Sequence, residues 1–245
     1  MWGIVPAAGK ATRIQPLGFS KELLPLGSET VNGVKRPRAV SEYLLDRMVQ
    51  AGVDHICMVI SPDKPDIMRY YGAKYKSADI CYVIQPEPLG LCDAIFRAIP
   101  FVELDQHVLV GLPDSLWFPE DSFKLLPLNR CFSFILFQVE HPEHFDAVLT
   151  EDQQVTEIEA KVHQPQTNWI WGAFQMWGTT FHKIHHLWKL NDSKEDSWGV
   201  LVNRLIQEGW SVSAFKVGKS YYDVGTVDGY QEAMKAVEER EHVSC

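Results

Sequence analysis

The chain has 245 residues, a length that fits one α/β domain or at most two small ones. Hydrophobic residues make up 46% of it and charged residues 22%, the balance of a globular protein with a sizeable core. Its formal net charge of −9, without any block of Lys and Arg, argues against nucleic acid and anionic membranes as partners. A small anionic substrate is still compatible with this charge, because a few local cations can bind one inside an acidic protein.

The sequence carries no feature that predicts export or membrane insertion. No run of about 18 apolar residues is present, so we expect no transmembrane span. The apolar start, Met1–Ala8, is too short for a secretory signal and follows no basic residues. The five cysteines are scattered and form no CxxC pair, which favours free thiols in a reducing compartment. We therefore expect a cytoplasmic protein.

The first half of the chain alternates strand-like and helix-like patterns. The predicted elements are a strand at Trp2–Val5, a polar loop from Pro6 to Leu26, a helix at Ser41–Gln50, a strand at His55–Ile60, a helix at Pro65–Tyr71, a strand at Ile80–Gln85, a helix at Gly90–Ile99 and a strand at Val108–Gly111. Parallel strands joined by helices explain this alternation economically.

The second half is less regular. The predicted elements are a strand at Phe132–Val139, a hairpin of Val148–Thr150 with Val155–Glu159, an aromatic strand at Trp169–Trp177, helices at Phe181–Lys189 and Trp198–Glu208, a strand at Val212–Val217 and a last helix over about 228–241. No repeat, low-complexity segment or linker interrupts the chain. We therefore predict a single domain over residues 1–245, with helices on both faces of a mixed sheet.

A loop rich in small residues follows the first strand directly, from Pro6 to Arg13. Successive backbone N–H groups in such a loop can point at a phosphate, and small residues let it come close. Arg13 and Lys21 add two local cations. The loop lacks the glycines of a Walker A motif or of a dinucleotide fingerprint, and an ordinary strand-to-helix turn would look much the same.

Six segments in order resemble the signature of the sugar-phosphate nucleotidyltransferases. The sequences AAGKATR and SKELLPL are similar to the family's AAGxGTR…PKxxLP, and they are followed by QPEPLGL at 85–91, GLPD at 111–114, IEAK at 158–161 and YDVGT at 222–226. Glucose-1-phosphate thymidylyltransferases and UTP–glucose-1-phosphate uridylyltransferases belong to this family. The resemblance implies a three-layer α/β/α Rossmann-like nucleotidyltransferase fold with a mixed, mostly parallel central sheet. A nucleotide-binding half would span about 1–115 and an acceptor-binding half about 116–245.

The resemblance also implies a reaction and the residues that perform it. A nucleoside triphosphate would give its nucleoside monophosphate to a small phosphorylated acceptor, such as a sugar 1-phosphate, and release pyrophosphate. Asp114 and Asp223 would hold the cofactor Mg²⁺, a hard cation that prefers carboxylate oxygens. Arg13 and Lys21 would be the catalytic cations on the triphosphate, and Lys161 would hold the phosphate of the acceptor.

The same resemblance assigns the contacts to the two substrates. The nucleotide would be bound by Gln85 and Gly90 at the base, which favours dTTP or UTP, and by the loop residues Ala7, Ala8, Gly9, Lys10, Ala11, Thr12 and Arg13. The acceptor would be bound by Asp146, Lys161, Trp171 and Gly172. The chain ends soon after its last predicted helix, so we expect no additional β-helix acyltransferase domain.

Departures from the family pattern leave alternatives open. Ala11 stands where the family has a second glycine, which disfavours a positive φ. Residues 28–40 form an unusual polar and basic stretch, interpreted as a surface insertion or a mobile loop. Asp146 and Ala160 stand where sugar enzymes usually have Gly and Glu. The acceptor could thus be a non-sugar compound such as phosphocholine or a phosphonate, with CTP as the nucleotide. The sequence is also compatible with a non-catalytic nucleotide-binding subunit. A homo-oligomer is possible in each case.

Overall fold

The structure, a computed structural model, describes residues 1–190, 192–195 and 197–243. Its strands are, in chain order, β1 (Trp2–Pro6), β2 (Pro25–Val31), β3 (Val34–Ala39), β4 (His55–Ile60), β5 (Lys74–Tyr75), β6 (Ala78–Ile84), β7 (His107–Gly111), β8 (Ser115–Phe118), β9 (Phe132–Gln138), β10 (Asp146–Glu151), β11 (Gln154–Ala160), β12 (Trp169–Trp177), β13 (Ser213–Phe215) and β14 (Ser220–Asp223). Its helices are α1 (Val40–Gln50), α2 (Pro65–Tyr71), α3 (Gly90–Phe96), α4 (Gly178–Leu190), α5 (Trp198–Gln207) and α6 (Val227–Val243).

Ten of these strands form one mixed sheet that contains strands from both halves of the chain. Their order is β10-β11-β13-β9-β12-β7-β1-β4-β6-β5. The strands β7, β1, β4 and β6 are parallel, as their alternation with helices predicts. Strand β12 then runs antiparallel to both β7 and β9. The α/β fold class is confirmed, but parallel pairing is less extensive than predicted because β12 reverses the chain direction in the middle of the sheet.

The central strands are buried on both faces, and their successive residues enter different cores. In β1, Ile4 packs into one core and Val5 into the other; in β7, Val110 and Leu109 divide in the same way. This period of two is the geometry of a pleated strand. Helices α3, α4 and α5 cover the first core, and α1 and α2 cover the second. The predicted three layers follow from this division.

Most of the stretch at 28–40 is a β-hairpin, which is compatible with a surface insertion and replaces the alternative of an irregular loop. Strands β2 and β3 pair antiparallel around Asn32 and Gly33. Both turn residues have a positive φ, 51° and 79°, as a two-residue hairpin turn of the primed type requires. The Asn-Gly dipeptide between β-branched residues was the sequence signal for this hairpin. The polar loop predicted for 6–26 accordingly ends earlier, with a 3-10 turn at Lys21–Leu23 and β2 from Pro25.

A second short ribbon, β8 with β14, was also not predicted. It pairs residues separated by about half the chain, in antiparallel register with Ser115 opposite Asp223. Each of its strands is only four residues long, below the length at which alternation is readable in a sequence. This ribbon lies at the carboxyl end of β7, and it positions the candidate site.

Other sequence expectations concern membranes and thiols. None of the helices in the described part of the chain is both long and apolar enough to cross a membrane. Cys57, Cys81, Cys92 and Cys131 form no disulfide bond. Cys245 lies outside the described residues.

Candidate active site

Two aspartates from distant parts of the sequence meet at the carboxyl end of the central sheet. Asp114 lies between β7 and β8, and Asp223 is the last residue of β14. The ribbon of β8 and β14 joins them, and the N–H of Val224 donates a hydrogen bond of 2.9 Å to the carbonyl oxygen of Asp114. A Cβ placed on Gly225 would lie 2.8 Å from Oδ1 of Asp223 and 3.0 Å from Oδ2 of Asp114. One oxygen of each carboxylate thus flanks a single point.

Each of these aspartates has a cation beside it. Arg13 Nη1 lies 2.8 Å from Oδ2 of Asp223, and Lys21 Nζ forms an ion pair with Oδ2 of Asp114. Burial opposes ionisation of Asp114, but Lys21 outweighs it, and the pKa of Asp114 lies below its ordinary value. Burial likewise opposes the charge on Lys21, yet Asp114 raises the pKa of Lys21. Both groups are therefore charged at neutral pH.

The loop from Pro6 to Arg13, called the phosphate loop from here on, brings Arg13 to this point, and the 3-10 turn at Lys21–Leu23 brings Lys21. The N–H of Ala7 is already bonded to the carbonyl of Val59 at 2.7 Å, so it is not free for a ligand. Ala11 adopts φ = 57°, the conformation that its side chain was expected to disfavour. Its methyl group packs with Ile14 in a small apolar cluster under α6. This packing holds the loop in the glycine-like conformation without a glycine.

A cavity of about 870 Å³ opens on one side of the loop, where we expected the nucleoside. It is lined by the predicted residues Ala8, Gly9, Lys10, Thr12 and Gln85. Gly90 does not line this cavity but lies behind Gln85, whose Nε2 donates to the Gly90 carbonyl at 3.1 Å. Ala7 and Ala11 are buried below the lining residues. Ala7, Ala11 and Gly90 were predicted to contact the nucleotide, but they lie behind the residues that line the cavity.

A second cavity of about 910 Å³ opens on the other side of the loop. It is lined by Arg13, Asp114 and Asp223 together with the predicted acceptor residues Asp146, Lys161 and Trp171. Thr12 lines the first cavity and Arg13 the second, so the loop separates two binding spaces at the paired aspartates. Two ligands of moderate size could meet there.

Comparison with known protein families assigns the chain that contains this site to a family. The family model described as nucleotidyl transferase matches residues 2–240. The chain belongs to the nucleotidyl transferase family. It is therefore a member of an enzyme family, and one cavity lies on each side of its phosphate loop.

Individual relatives of this nucleotidyl transferase are distant but match along its whole length. It is 24% identical over 245 residues to a UTP–glucose-1-phosphate uridylyltransferase from Haloferax volcanii, covering 98% of this chain and 97% of the relative. It is 26% identical over 265 residues to a glucose-1-phosphate thymidylyltransferase from Neisseria meningitidis, covering 100% and 87%. A UTP-bound UGPase from Acinetobacter baumannii shares the fold, with a TM-score of 0.77 at 19% identity, covering 96% of this chain and 92% of that one.

Asp146 is held by several protein groups in the second cavity of this nucleotidyl transferase. Its Oδ2 accepts a hydrogen bond of 3.3 Å from Trp171 Nε1, and backbone N–H groups of Gly199 and Lys161 also interact with the carboxylate. Burial nevertheless raises the pKa of Asp146. Asp146 lies directly opposite Ala160 across β10 and β11. The carboxylate therefore belongs to the cavity wall, where it fixes Trp171 and the backbone of Lys161.

Gly172 does not reach the second cavity. A Cβ there would lie 2.6 Å from the ring of Phe137 and 2.7 Å from that of Tyr221. The expected contact of Gly172 with an acceptor is therefore replaced by a packing role, because the absence of a side chain lets Tyr221 approach and line the cavity.

A buried ion pair behind the phosphate loop was missed by the sequence analysis. Lys64 Nζ donates to Glu22 Oε1 at 2.8 Å, to Glu22 Oε2 at 2.9 Å and to the carbonyl of Ala7 at 2.8 Å. Burial raises the pKa of Glu22 in spite of this partner. Glu22 is adjacent to Lys21, and Lys64 precedes α2 directly. The ion pair of Glu22 and Lys64 therefore connects the phosphate loop and Lys21 to the start of α2. Nothing in the local sequence indicates that these two charges meet, since they are 42 residues apart.

Proposed function

We propose that this nucleotidyl transferase transfers a nucleoside monophosphate from dTTP or UTP to a sugar 1-phosphate, with Mg²⁺, releasing pyrophosphate. The observation that carries this proposal is the meeting of Asp114, Asp223, Arg13 and Lys21 between two cavities. The names of the two sequence relatives support the choice of a uridylyl or thymidylyl donor and a glucose 1-phosphate acceptor.

In the proposed reaction, a phosphate oxygen of the acceptor attacks the α-phosphorus of the triphosphate. A new P–O bond forms as the bond from the α-phosphorus to the oxygen that bridges to the β-phosphate breaks, and pyrophosphate leaves with those electrons. Both reactants are anions, so the site must neutralise charge and align them. Arg13 and Lys21 would bind the triphosphate, and Lys161 would bind the acceptor's phosphate in the second cavity.

The donor set at the paired aspartates fits Mg²⁺. Carboxylate oxygens are hard ligands, and the carboxylates of Asp114 and Asp223, which approach each other beside Gly225, could together hold one cation. When bound, Mg²⁺ would neutralise charge on the phosphates and on the leaving pyrophosphate. Arg13 and Lys21, which pair with these carboxylates, are then available to the phosphates.

The proposal is tested by a panel of substrates. Purified protein is incubated with each of dTTP, UTP, CTP, GTP and ATP, paired with several sugar 1-phosphates or with phosphocholine, and pyrophosphate release is measured with Mg²⁺ and with EDTA. We expect Mg²⁺-dependent release with UTP or dTTP and a sugar 1-phosphate. Preference for phosphocholine and CTP would replace the acceptor assignment. Tight nucleotide binding without turnover of any pair would instead identify a non-catalytic binding protein.

The contact between Trp171 and Asp146 gives a prediction for the acceptor side. Trp171→Phe keeps the aromatic ring but removes the donor to the half-buried carboxylate of Asp146. Because this bond holds the ring and the carboxylate in the wall of the second cavity, we expect its loss to displace that wall and to raise the KM for the sugar 1-phosphate by up to about tenfold, equivalent to about 1.4 kcal/mol. The KM for the nucleotide should stay nearly constant, since the first cavity is unchanged.

A matched control for this variant lies on the same strand. Trp169→Phe changes a partly buried ring that packs on Lys216 and does not line the second cavity. It should leave the KM of both substrates near the wild-type values. Equal effects of the two variants would contradict a specific role for the contact between Trp171 and Asp146.

A further inference from the structure

Gln85 lines the first cavity, and its amide group is oriented by protein neighbours. Its side chain is buried, with 4% of its surface exposed. Nε2 donates to Asp93 Oδ2 at 2.8 Å and to the Gly90 carbonyl oxygen at 3.1 Å. A carbonyl oxygen and an ionised carboxylate are both acceptors only, so the reverse orientation of the amide would place oxygen against oxygen at both contacts.

Arg97 holds the carboxylate that orients this amide. Its Nε and Nη2 donate to the two oxygens of Asp93 at 2.7 and 3.2 Å, and its Nη1 donates to the carbonyl of Ile84 at 3.2 Å. Asp93 and Arg97 are one helical turn apart at α3, so the pair is rigidly placed. The orientation of the Gln85 amide therefore follows from a fixed, charged partner.

The remaining polar atom of Gln85 faces the cavity. Within the described part of the chain, no donor lies at hydrogen-bond distance from Oε1. This oxygen is not enclosed by protein, so it remains accessible from the cavity. Gln85 thus presents an acceptor to a bound ligand, and its donor is used inside the protein.

The geometry points to Asp93 as the positioning residue for base selection: we propose that it fixes Gln85 as an acceptor, so that the cavity selects a nucleobase with a ring N–H. This inference rests on the proposed function, because it assumes that the first cavity binds the base of a nucleoside triphosphate. Uracil and thymine carry such a donor at N3, whereas the N3 of cytosine is an acceptor that would face Oε1 unfavourably. Guanine also carries a ring N–H, at N1, so the selection applies among the pyrimidine nucleotides, where UTP and dTTP are preferred over CTP.

The size of the preference for UTP over CTP follows from the cost of leaving Gln85 Oε1 without a hydrogen bond when CTP is bound. Leaving such a group without its hydrogen bond costs about 1–3 kcal/mol, which is roughly fivefold to a hundredfold in relative affinity. We therefore expect wild-type protein to prefer UTP over CTP by that factor. The measurement is the ratio of the two dissociation constants from calorimetric titration without acceptor, together with the ratio of the two kcat/KM values.

The decisive variant is Asp93→Asn. An Asn side chain can offer its NH₂ group to Gln85, so only the Gly90 carbonyl then opposes reversal of the glutamine amide, and the reversed amide can donate to the N3 of cytosine. We expect the UTP-to-CTP ratio to fall about tenfold, mainly through a gain for CTP. Asp93→Glu keeps an acceptor-only carboxylate and should retain most of the wild-type preference.

A matched control separates this effect from the loss of one negative charge. Asp79→Asn removes a carboxylate that is 63% exposed, is paired with the exposed Lys74 and lies at the far end of β6. Its UTP-to-CTP ratio should equal that of the wild type. Thermal unfolding followed by circular dichroism establishes that each variant is folded; if Asp93→Asn is not, Asp93→Ser takes its place, because its hydroxyl can also donate or accept.

The outcomes distinguish this inference from the proposed function. An unchanged ratio in a folded Asp93→Asn or Asp93→Ser variant would overturn the role of Asp93 while leaving nucleotidyl transfer intact. A wild-type preference for CTP would overturn the inferred selection itself. If the wild type binds UTP over CTP and the Asp93 variant loses that preference, but no acceptor supports pyrophosphate release, the inference holds and the proposed function fails.

Discussion

Asp114→Asn is expected to lower the turnover number by about 10²–10³, with the chain still folded. The substitution keeps the size of the side chain but removes the negative charge that lies opposite Asp223. An amide is a weaker ligand for a hard cation than a carboxylate, so the Mg²⁺ concentration needed for half-maximal activity should also rise. Initial rates over a series of Mg²⁺ concentrations measure both effects.

Asp114→Asn should also lower the stability of the protein, because Asp114 is the ion-pair partner of Lys21. Lys21 is only 13% exposed, and its ammonium group loses a charged partner in the variant. The amide oxygen can still accept its hydrogen bond, which is why we expect a folded protein with lower stability. Direct titration of the metal, in the presence of a nucleotide, gives a readout that does not depend on turnover.

The control for Asp114→Asn lies at the opposite end of the same strand. Asp105 is an exposed residue just before β7, whereas Asp114 follows it. Asp105→Asn makes the same chemical change and should leave activity and the Mg²⁺ dependence unchanged. If Asp114→Asn retains wild-type turnover at limiting Mg²⁺, the assignment of the paired aspartates as metal ligands is wrong.

Lys64→Met is expected to lower the free energy of unfolding by about 3–5 kcal/mol, the largest stability effect that we predict. The side chains of Lys64 and Glu22 are 10% and 2% exposed, so removing the lysine leaves a carboxylate enclosed without its charged partner. The carbonyl of Ala7 loses a donor in the same variant. Urea denaturation monitored by tryptophan fluorescence measures the loss.

Two comparisons test whether the buried pair is the cause. The double variant with Glu22→Gln should lose less stability than the sum of the single variants, because neither charge is then left alone. The exposed pair of Lys74 and Asp79, 61% and 63% exposed, provides the control, and Lys74→Met should change stability by about 1 kcal/mol or less. Additive effects at the buried pair would contradict this account.

The stability loss of Lys64→Met should also depend on pH in a defined direction. Burial already raises the pKa of Glu22 above 4.5, and removing Lys64 takes away the largest influence that lowers it. A carboxyl whose folded-state pKa is raised contributes to stability below its unfolded pKa, and that contribution is lost as pH rises towards the folded value. The difference from the wild type should therefore be small near pH 4 and grow towards pH 7. A constant difference over this range would show that Glu22 does not carry the effect.

Much of the fold could be predicted because its elements have local signatures. Buried strands such as β4 and β12 are continuous apolar runs, and helices such as α1 and α5 show apolar residues at helical spacing. The alternation of these elements in the first half predicted parallel pairing, and the structure has it in β7, β1, β4 and β6. The β2–β3 hairpin was missed because the Asn-Gly signal lay inside a stretch read as an insertion.

The sequence by itself determined which chemical groups the site contains. Arg13, Lys21, Asp114, Lys161 and Asp223 stand in segments that resemble a known family, and the structure places all five at one edge of the sheet. The sequence could not determine how those groups are held in place, because they are held by contacts between residues far apart in the chain. Residues such as Gly172 and Asp146 could be located near the acceptor side but not assigned to packing or to the cavity wall.

Only the tertiary structure decided three relationships that control the site. The ribbon of β8 and β14 brings Asp114 next to Asp223, Lys64 reaches Glu22 behind the loop, and Asp93 turns the amide of Gln85. Each depends on a distance or an orientation fixed by packing, and side-chain directions of this kind leave no periodic trace in a sequence. A local pattern reports which face of an element is buried, whereas the partner across a cavity is selected by the folding of the whole chain.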